Sequence, residues 1–238
     1  MELKKLVVLT GAGISAESGL KTFRDSGGLW EGHRVEDVAT PEGWKKNPGL
    51  VLQFYNERRQ QLKSAEPNQA HKILAKLEEY FSVTVVTQNV DDLHERGGSS
   101  EVIHLHGELL KCRSEKNDQL VYSRTEDIHP GDYCDEGHQL RPHIVWFGEA
   151  VPLLQEAALK FAEADICIIV GTSLQVYPAA GLIQYLGSAC PIYYIDPYPY
   201  LSPEIKKRGN IQLIPLPAQD GMKEVWHKLL VETADNNH

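Results

Sequence analysis

Residues 81–107 read FSVTVVTQNVDDLHERGGSSEVIHLHG. The left edge, FSVTVVTQN, is a β-branched run ending in two amides, the pattern of a strand buried on both faces. The right edge, VIHLHG, alternates like a short strand and places His104 and His106 on one face. Between them lie Asp91, Asp92, His94, Glu95 and Arg96, more polar chemistry than a connection needs. Amides, acids and imidazoles gathered at the C-terminal ends of strands are where open α/β sheets place ligands and chemistry. Taken alone, the stretch also fits a solvated loop with satisfied surface histidines.

Working outward, other strands of the same kind alternate with helical patterns. Lys5–Thr10 (KLVVLT), Val102–Leu105, Asp165–Val170 (DICIIV) and Pro191–Ile195 read as strands, and Arg141–Phe147 as extended chain. Asn47–Lys63 reads as a helix with an apolar stripe at Leu50, Val51, Phe54 and Leu62. Asn68–Tyr80, Leu153–Ala164, Pro178–Leu186 and Gly221–Glu232 also read as helices. Lys111–Gln139 is polar and without periodicity, an excursion from the core. Strands alternating with helices give an α/β fold built on a doubly wound parallel sheet.

Composition bounds the function classes. A chain of 238 residues with 42% hydrophobic and 24% charged residues has the make-up of an ordinary globular protein. No apolar run approaches the roughly 18 residues of a membrane helix, and MELKKLVVLTGAG lacks the shape of a signal peptide. Four cysteines without framework spacing point to a reducing cytoplasm. A formal charge of −9 argues against nucleic-acid binding as the main activity.

LTGAGISAESG follows the first strand and carries G-x-G-x-x-A at Gly11, Gly13 and Ala16. Small residues there allow close backbone approach, and a helix start offers N–H groups to a pyrophosphate. A tight β–α turn is the plainer reading of the same residues. A dehydrogenase would follow with a second strand ending in an acid about 20 residues on. Here the chain runs into a Gly-rich charged loop instead, which speaks against hydride transfer and suits a cover over a reaction chamber. GTS (Gly171, Thr172, Ser173) after DICIIV supplies hydroxyls for phosphate or ribose, or a helix cap. Asp196 ends another strand, placed to accept from ribose hydroxyls or to start a turn before proline.

GAGIS (11–15), TFRDSGGLW (22–30), TQNVDDLHERGG (87–98), HLHGEL (104–109), RPHIVWFGE (141–149) and GTSLQVYPAA (171–180) together closely resemble the sirtuin family. The resemblance runs in order from about residue 5 to about residue 200. It implies an NAD-dependent protein-lysine deacylase acting on acylated lysine side chains of proteins. It also implies a Rossmann-like NAD-binding domain (1–27, 65–110 and 141–238) with a smaller domain from two insertions (28–64 and 111–140). By the same resemblance, Gly11, Ala12, Gly13, Ser15, Phe23 and Arg24 enclose the cofactor, and Gln88, Asn89 and Asp91 line the nicotinamide and ribose pocket. Gly171, Thr172, Ser173 and Asp196 complete the cofactor set, and His106 is the catalytic base. The resemblance implies that the acyl oxygen would attack the ribose carbon as nicotinamide leaves, that His106 would then help a ribose hydroxyl attack the resulting imidate, and that water would release lysine and O-acyl-ADP-ribose. An imidazole suits this step because its ordinary pKa lies near working pH. Val145, Phe147, Gly148 and Glu149 resemble the segment that receives the substrate peptide as an added strand.

Tyr55 and Arg58, spaced i, i+3, share one helix face. Arginine offers a planar fork for a carboxylate, and a phenol adds a donor. The pair resembles the sirtuin branch that removes succinyl and malonyl groups, which implies a preference for acidic acyl chains without exclusion of acetyl. A solvated arginine beside a packing tyrosine is the plain alternative.

Two departures from the family stand out. Many sirtuins hold a structural zinc with two C-x-x-C pairs. Here the matching stretch has only Cys112 and Cys134, with His129 and His138 irregularly spaced, so no zinc site is expected. Asp196 stands where the family usually has Asn. Two competing functions use the same fold or cofactor: a mono-ADP-ribosyltransferase and a non-catalytic NAD-sensing module.

Overall fold

The computed structural model describes residues 3–21 and 29–235. The chain begins with β1 (Lys5–Thr10) and a one-turn helix α1 (Gly13–Ala16), then a hairpin of β2 (Leu29–Trp30) and β3 (His33–Arg34). Helices α2 (Val35–Val38), α3 (Pro41–Lys46), α4 (Pro48–Ser64) and α5 (Gln69–Leu77) follow. Next come β4 (Ser82–Thr87), α6 (Leu93–Gly97), β5 (Val102–His104), β6 (Gly107–Ser114), β7 (Val121–Ser123) and β8 (Leu140–Ile144). The C-terminal part holds α7 (Leu154–Ala162), β9 (Ile166–Val170), a 3-10 helix (Ala179–Tyr185), β10 (Ile192–Ile195), α8 (Pro203–Lys206), β11 (Ile211–Ile214) and α9 (Ala218–Asp235).

Six strands form one sheet in the order β11-β10-β9-β1-β4-β5, and every pair in it is parallel. Alternate residues serve opposite faces, as the two-residue period of a strand requires. Leu6, Val8, Val83, Val85, Ile166 and Ile168 pack into a core with residues of α5 and α9. Val7, Leu9, Val86, Ile103, Cys167 and Ile169 pack into a second core with Phe161 of α7 and Leu182 of the 3-10 helix. Burial on both faces explains why these strands read as continuous apolar runs. The expected α/β doubly wound sheet is therefore the observed one.

The register aligns the strand ends. Thr10 pairs with Thr87 on one side and with Val170 on the other, and Val170 pairs with Ile195. One residue further on, Gly11, Gln88, Gly171 and Asp196 leave the sheet side by side. From β1 the chain winds outward to β4 and β5, then returns on the other side of β1 to build β9, β10 and β11. The reversal lies between β1 and β9, the crevice where open α/β sheets bind ligands.

A three-stranded antiparallel sheet, β7-β6-β8, lies beside the main one. β7 and the end of β6 fall in the stretch that the sequence leaves without periodicity, whereas β8 overlaps the segment read as extended from Arg141; β6 and β8 pair through an irregular register. The sheet's apolar residues Leu109, Cys112, Leu140 and Ile144 share a core with Val51, Phe54, Tyr55 and Leu62 of α4. Helix α4 starts where the sequence places it: Asn47 Oδ1 accepts from the Leu50 N–H and Pro48 fills the first turn. The 179–185 segment is a 3-10 helix rather than α, and the edge strand β11 was not foreseen, since its alternation is half exposed. Among the described residues no helix is long and apolar enough to cross a membrane.

Candidate active site

Gly11 and Gly13 are required by backbone packing at the crevice. A Cβ on Gly13 would lie 2.7 Å from Gly171 Cα, and one on Gly11 would lie 2.7 Å from Thr172 Cβ. Gly171 itself has φ +66°, a left-handed conformation that suits glycine. This close approach engages most of the N–H groups expected to face a pyrophosphate. Gly11 donates to Val170, Gly13 to Gly171, Ile14 to Gly11 and Ser15 to Ala12. Side chains supply the polar surface instead.

Those side chains form one linked set. Gln88 Nε2 donates to Thr172 Oγ1 at 3.0 Å, bridging the ends of β4 and β9. Asn89 Nδ2 donates to Ser15 Oγ at 3.1 Å, and Ser15 Oγ donates to Asp91 Oδ2 at 3.0 Å. Burial raises the Asp91 carboxyl to about 6 against the pull of the Leu93 N–H and the Ser15 hydroxyl. Asp196 is buried at the end of β10, and its Oδ1 accepts from the Tyr198 N–H at 2.8 Å. Behind this set, Thr10 donates to Thr87 at 2.7 Å and Thr87 Oγ1 accepts from the Asn89 N–H at 3.0 Å, which fixes the loop after β4.

The two histidines of the HLH segment separate cleanly. His104 donates from Nδ1 to the Asn89 carbonyl at 3.2 Å and from Nε2 to Glu95 at 2.7 Å. Burial alone would lower its pKa, yet the Glu95 carboxylate, together with Glu108 and the Asn89 carbonyl, outweighs burial and the pKa is raised. With both nitrogens donating, His104 has no lone pair for base chemistry. His106 donates from Nδ1 to the Gln88 carbonyl at 2.9 Å, which leaves Nε2 as the basic nitrogen. Burial lowers its pKa, with the Gln88 bond opposing, so the neutral form dominates at neutral pH. His106 lines a cavity of about 530 Å³, together with Gly11, Gln88, Asn89, Asp91, Thr172, Ser173 and Asp196.

Tyr55 and Arg58 line the same cavity. The Tyr55 ring is fully buried, and its hydroxyl oxygen accepts from Trp146 Nε1 at 3.0 Å, which leaves its own proton to donate. Arg58 is buried against the Phe54 ring, with its Cζ 3.6 Å from the centroid. Its Nη1 donates to the Phe54 carbonyl and faces Glu57 at 3.4 Å. Its Nε has no partner, and Nη2 lies 3.8 Å from Glu31. Neighbouring Arg59 is also buried but does not line this cavity. Its Nη1 donates to Asn56 at 2.7 Å, and burial lowers its pKa to about 10.

The Sir2 family model matches residues 11–178. The chain is 55% identical over 228 residues to a protein of Helicobacter pylori (strain J99) described as an NAD-dependent protein deacylase, covering 96% of each. A Sir2 homolog–NAD complex superposes with a TM-score of 0.85 at 38% identity, covering 97% of this chain and 91% of that one. A Sir2 bound to acetylated peptide gives 0.79 at 29% identity, covering 95% and 94%. The chain belongs to the Sir2 family.

In this Sir2 protein the segment foreseen as a peptide-pairing strand is largely tied down. Val145 N–H donates to the His106 carbonyl, Phe147 N–H to Ala39, Trp146 N–H to Glu149 Oε2 and Glu149 N–H to Trp146. A peptide laid along this segment would therefore meet carbonyl acceptors more than free N–H donors. Val145, Phe147 and Glu149 line the cavity, and Phe147 is exposed; Gly148 turns the chain at φ +91°. The Glu149 carboxylate is engaged internally, with Arg141 at 2.7 Å and Arg113 at 3.2 Å. Arg141 in turn lies over the Trp146 ring at 3.3 Å. Glu149, Arg141 and Trp146 thus act in series to hold the Tyr55 hydroxyl. The sequence does not reveal this relay, because Tyr55 and Trp146 are 91 residues apart.

Ala12 also lines the cavity. Phe23 and Arg24 lie outside the described residues. No group of three or more His, Cys, Asp or Glu side chains that could hold a metal ion occurs among the described residues. Cys112 and Cys134 are buried free thiols in the core shared by α4 and the small sheet.

Proposed function

We propose that this Sir2 protein is an NAD-dependent protein-lysine deacylase that prefers acyl groups ending in a carboxylate and also removes acetyl. The observation that carries the preference is Arg58: a buried guanidinium whose Nε lacks a partner, lining the same cavity as His106. A buried guanidinium with an unsatisfied Nε is costly, and a carboxylate from the acyl chain can close on the Nε/Nη2 edge as a bidentate, charge-assisted pair. The free Tyr55 proton adds a further donor.

NAD is the co-substrate, and the crevice suits it. Asp196 offers a buried acceptor to ribose hydroxyls, and Gln88, Thr172 and Ser15 offer polar groups where most of the helix-start N–H groups are already used. The amides and the Ser15–Asp91 pair receive the nicotinamide end. His106, oriented by the Gln88 carbonyl, takes a ribose-hydroxyl proton on Nε2. The relatives' deacylase description and the acetylated-peptide complex support the substrate class, an acyl-lysine side chain of a protein.

The test compares succinyl-, malonyl- and acetyl-lysine versions of one peptide with NAD, following products by mass spectrometry. We expect lysine release from all three, and Arg58→Met to lower kcat/KM for the succinyl peptide at least tenfold more than for the acetyl one. Equal losses would remove the carboxylate role, and nicotinamide release without lysine release would remove the deacylase reading.

A further inference from the structure

Glu31 is placed in a way its position in the chain does not require. It sits with Gly32 in the two-residue turn between Trp30 and His33, and both turn residues have positive φ, +51° and +82°. Such a turn favours Asn, Asp or Gly, so a glutamate there is strained. A glutamate at a hairpin tip would ordinarily extend into water, yet the Glu31 side chain is only 10% exposed. It folds inward, lines the cavity, and approaches Arg58 Nη2 at 3.8 Å. The hairpin is pinned in that position: Trp30 packs edge-on against Phe54 at 4.9 Å and Tyr55 at 6.1 Å, and His33 meets Phe54 at 5.5 Å. Lys21, largely exposed, holds the same Glu31 oxygen at 2.9 Å.

We propose that Glu31 is a built-in stand-in for the acyl carboxylate, neutralising Arg58 until a substrate carboxylate displaces it. The proposal rests on the carboxylate-reading role of Arg58 given above. The Nε/Nη2 edge is the unfilled side of the Arg58 fork, and Glu31 covers it without closing to hydrogen-bond distance. A carboxylate weakly held at 3.8 Å is displaced more readily than one in a bidentate pair. On displacement Glu31 keeps Lys21 as its partner, so its charge is not stranded. The same device lets a neutral acetyl group enter a cavity whose cation is already compensated. Glu31 therefore lowers discrimination, and its removal sharpens it.

The test uses Glu31→Asn and Glu31→Gly, both suited to the positive φ, so that the turn is kept. Each is assayed with succinyl and acetyl versions of one peptide, alone and combined with Arg58→Met. We expect the succinyl-to-acetyl ratio of kcat/KM to rise about three- to tenfold in both variants, through a lower succinyl KM. In the Arg58→Met background the ratio should not respond to Glu31, which a merely structural role would not produce. An unchanged or falling ratio in variants with a wild-type melting temperature overturns the proposal, as does an effect that survives Arg58→Met. Where wild type shows Arg58-dependent succinyl preference and Glu31 does not move it, the stand-in alone fails. Where wild type shows no such preference, the reading of Arg58 fails and the stand-in with it.

Discussion

Lowering the pH from 7 to 5 is expected to destabilise this Sir2 protein through the buried pair His71–His94. The two rings lie 4.9 Å apart with no exposed surface. Burial lowers His71 to about 4 from 6.5, and lowers His94 well below 6.5 with His71 itself opposing a second charge. The unfolded chain protonates these rings near the ordinary value, while the folded chain does not. The unfolded state thus binds more protons between about 6.5 and about 4, so stability is fully present above that window and falls as pH drops through it. For His71 alone the loss between pH 7 and pH 5 is roughly 2 kcal/mol.

The assay is urea unfolding at both pH values for wild type and for His71→Gln. Glutamine at this position preserves the helix start, where His71 Nδ1 accepts from the Asn68 N–H as part of a capping box. Carboxylates that titrate in the same window cancel in the comparison. Wild type should lose about 1.5–2 kcal/mol more than His71→Gln on acidification. Equal losses in the two proteins would refute the assignment of a neutral buried His71. The pair also touches the site: His94 Nε2 contacts Thr10 Oγ1 at 3.0 Å, and Thr10 leads through Thr87 to the Asn89 N–H.

Two further outcomes follow from the geometry. Because burial lowers the pKa of His106, the acid limb of kcat/KM against pH should have its midpoint below 6.5; a midpoint above 7 would contradict a desolvated neutral base. Gly13→Ala places a methyl group 2.7 Å from Gly171 Cα, backbone against backbone, so we expect a loss of about 2 kcal/mol or more in urea unfolding together with weaker NAD binding in calorimetry; a wild-type-like variant would mean the two loops separate freely.

The sequence alone determined the parallel sheet and the residues at its crevice. Strands buried on both faces must be continuous apolar runs, and KLVVLT, SVTVVT and DICIIV are such runs, each followed by a break into glycine or amide. Helix starts at Asn47 and Asn68 were equally legible, because capping is a matter of a few neighbouring residues. Of the small sheet only the β8 segment was legible, as extended chain; β7 is three residues long and half exposed, and β6 pairs with β8 through an irregular register. Only the tertiary structure decided which of two face-sharing histidines keeps a lone pair. That depends on Glu95 reaching His104 while only a backbone carbonyl reaches His106. It also decided what Arg58 meets. The i, i+3 pattern placed Tyr55 and Arg58 on one face, but Trp146, which donates to the one, and Glu31, which approaches the other at 3.8 Å, arrive from other parts of the chain. Local pattern fixes which groups a segment offers; the partners that set their charge and orientation are fixed by packing across the fold.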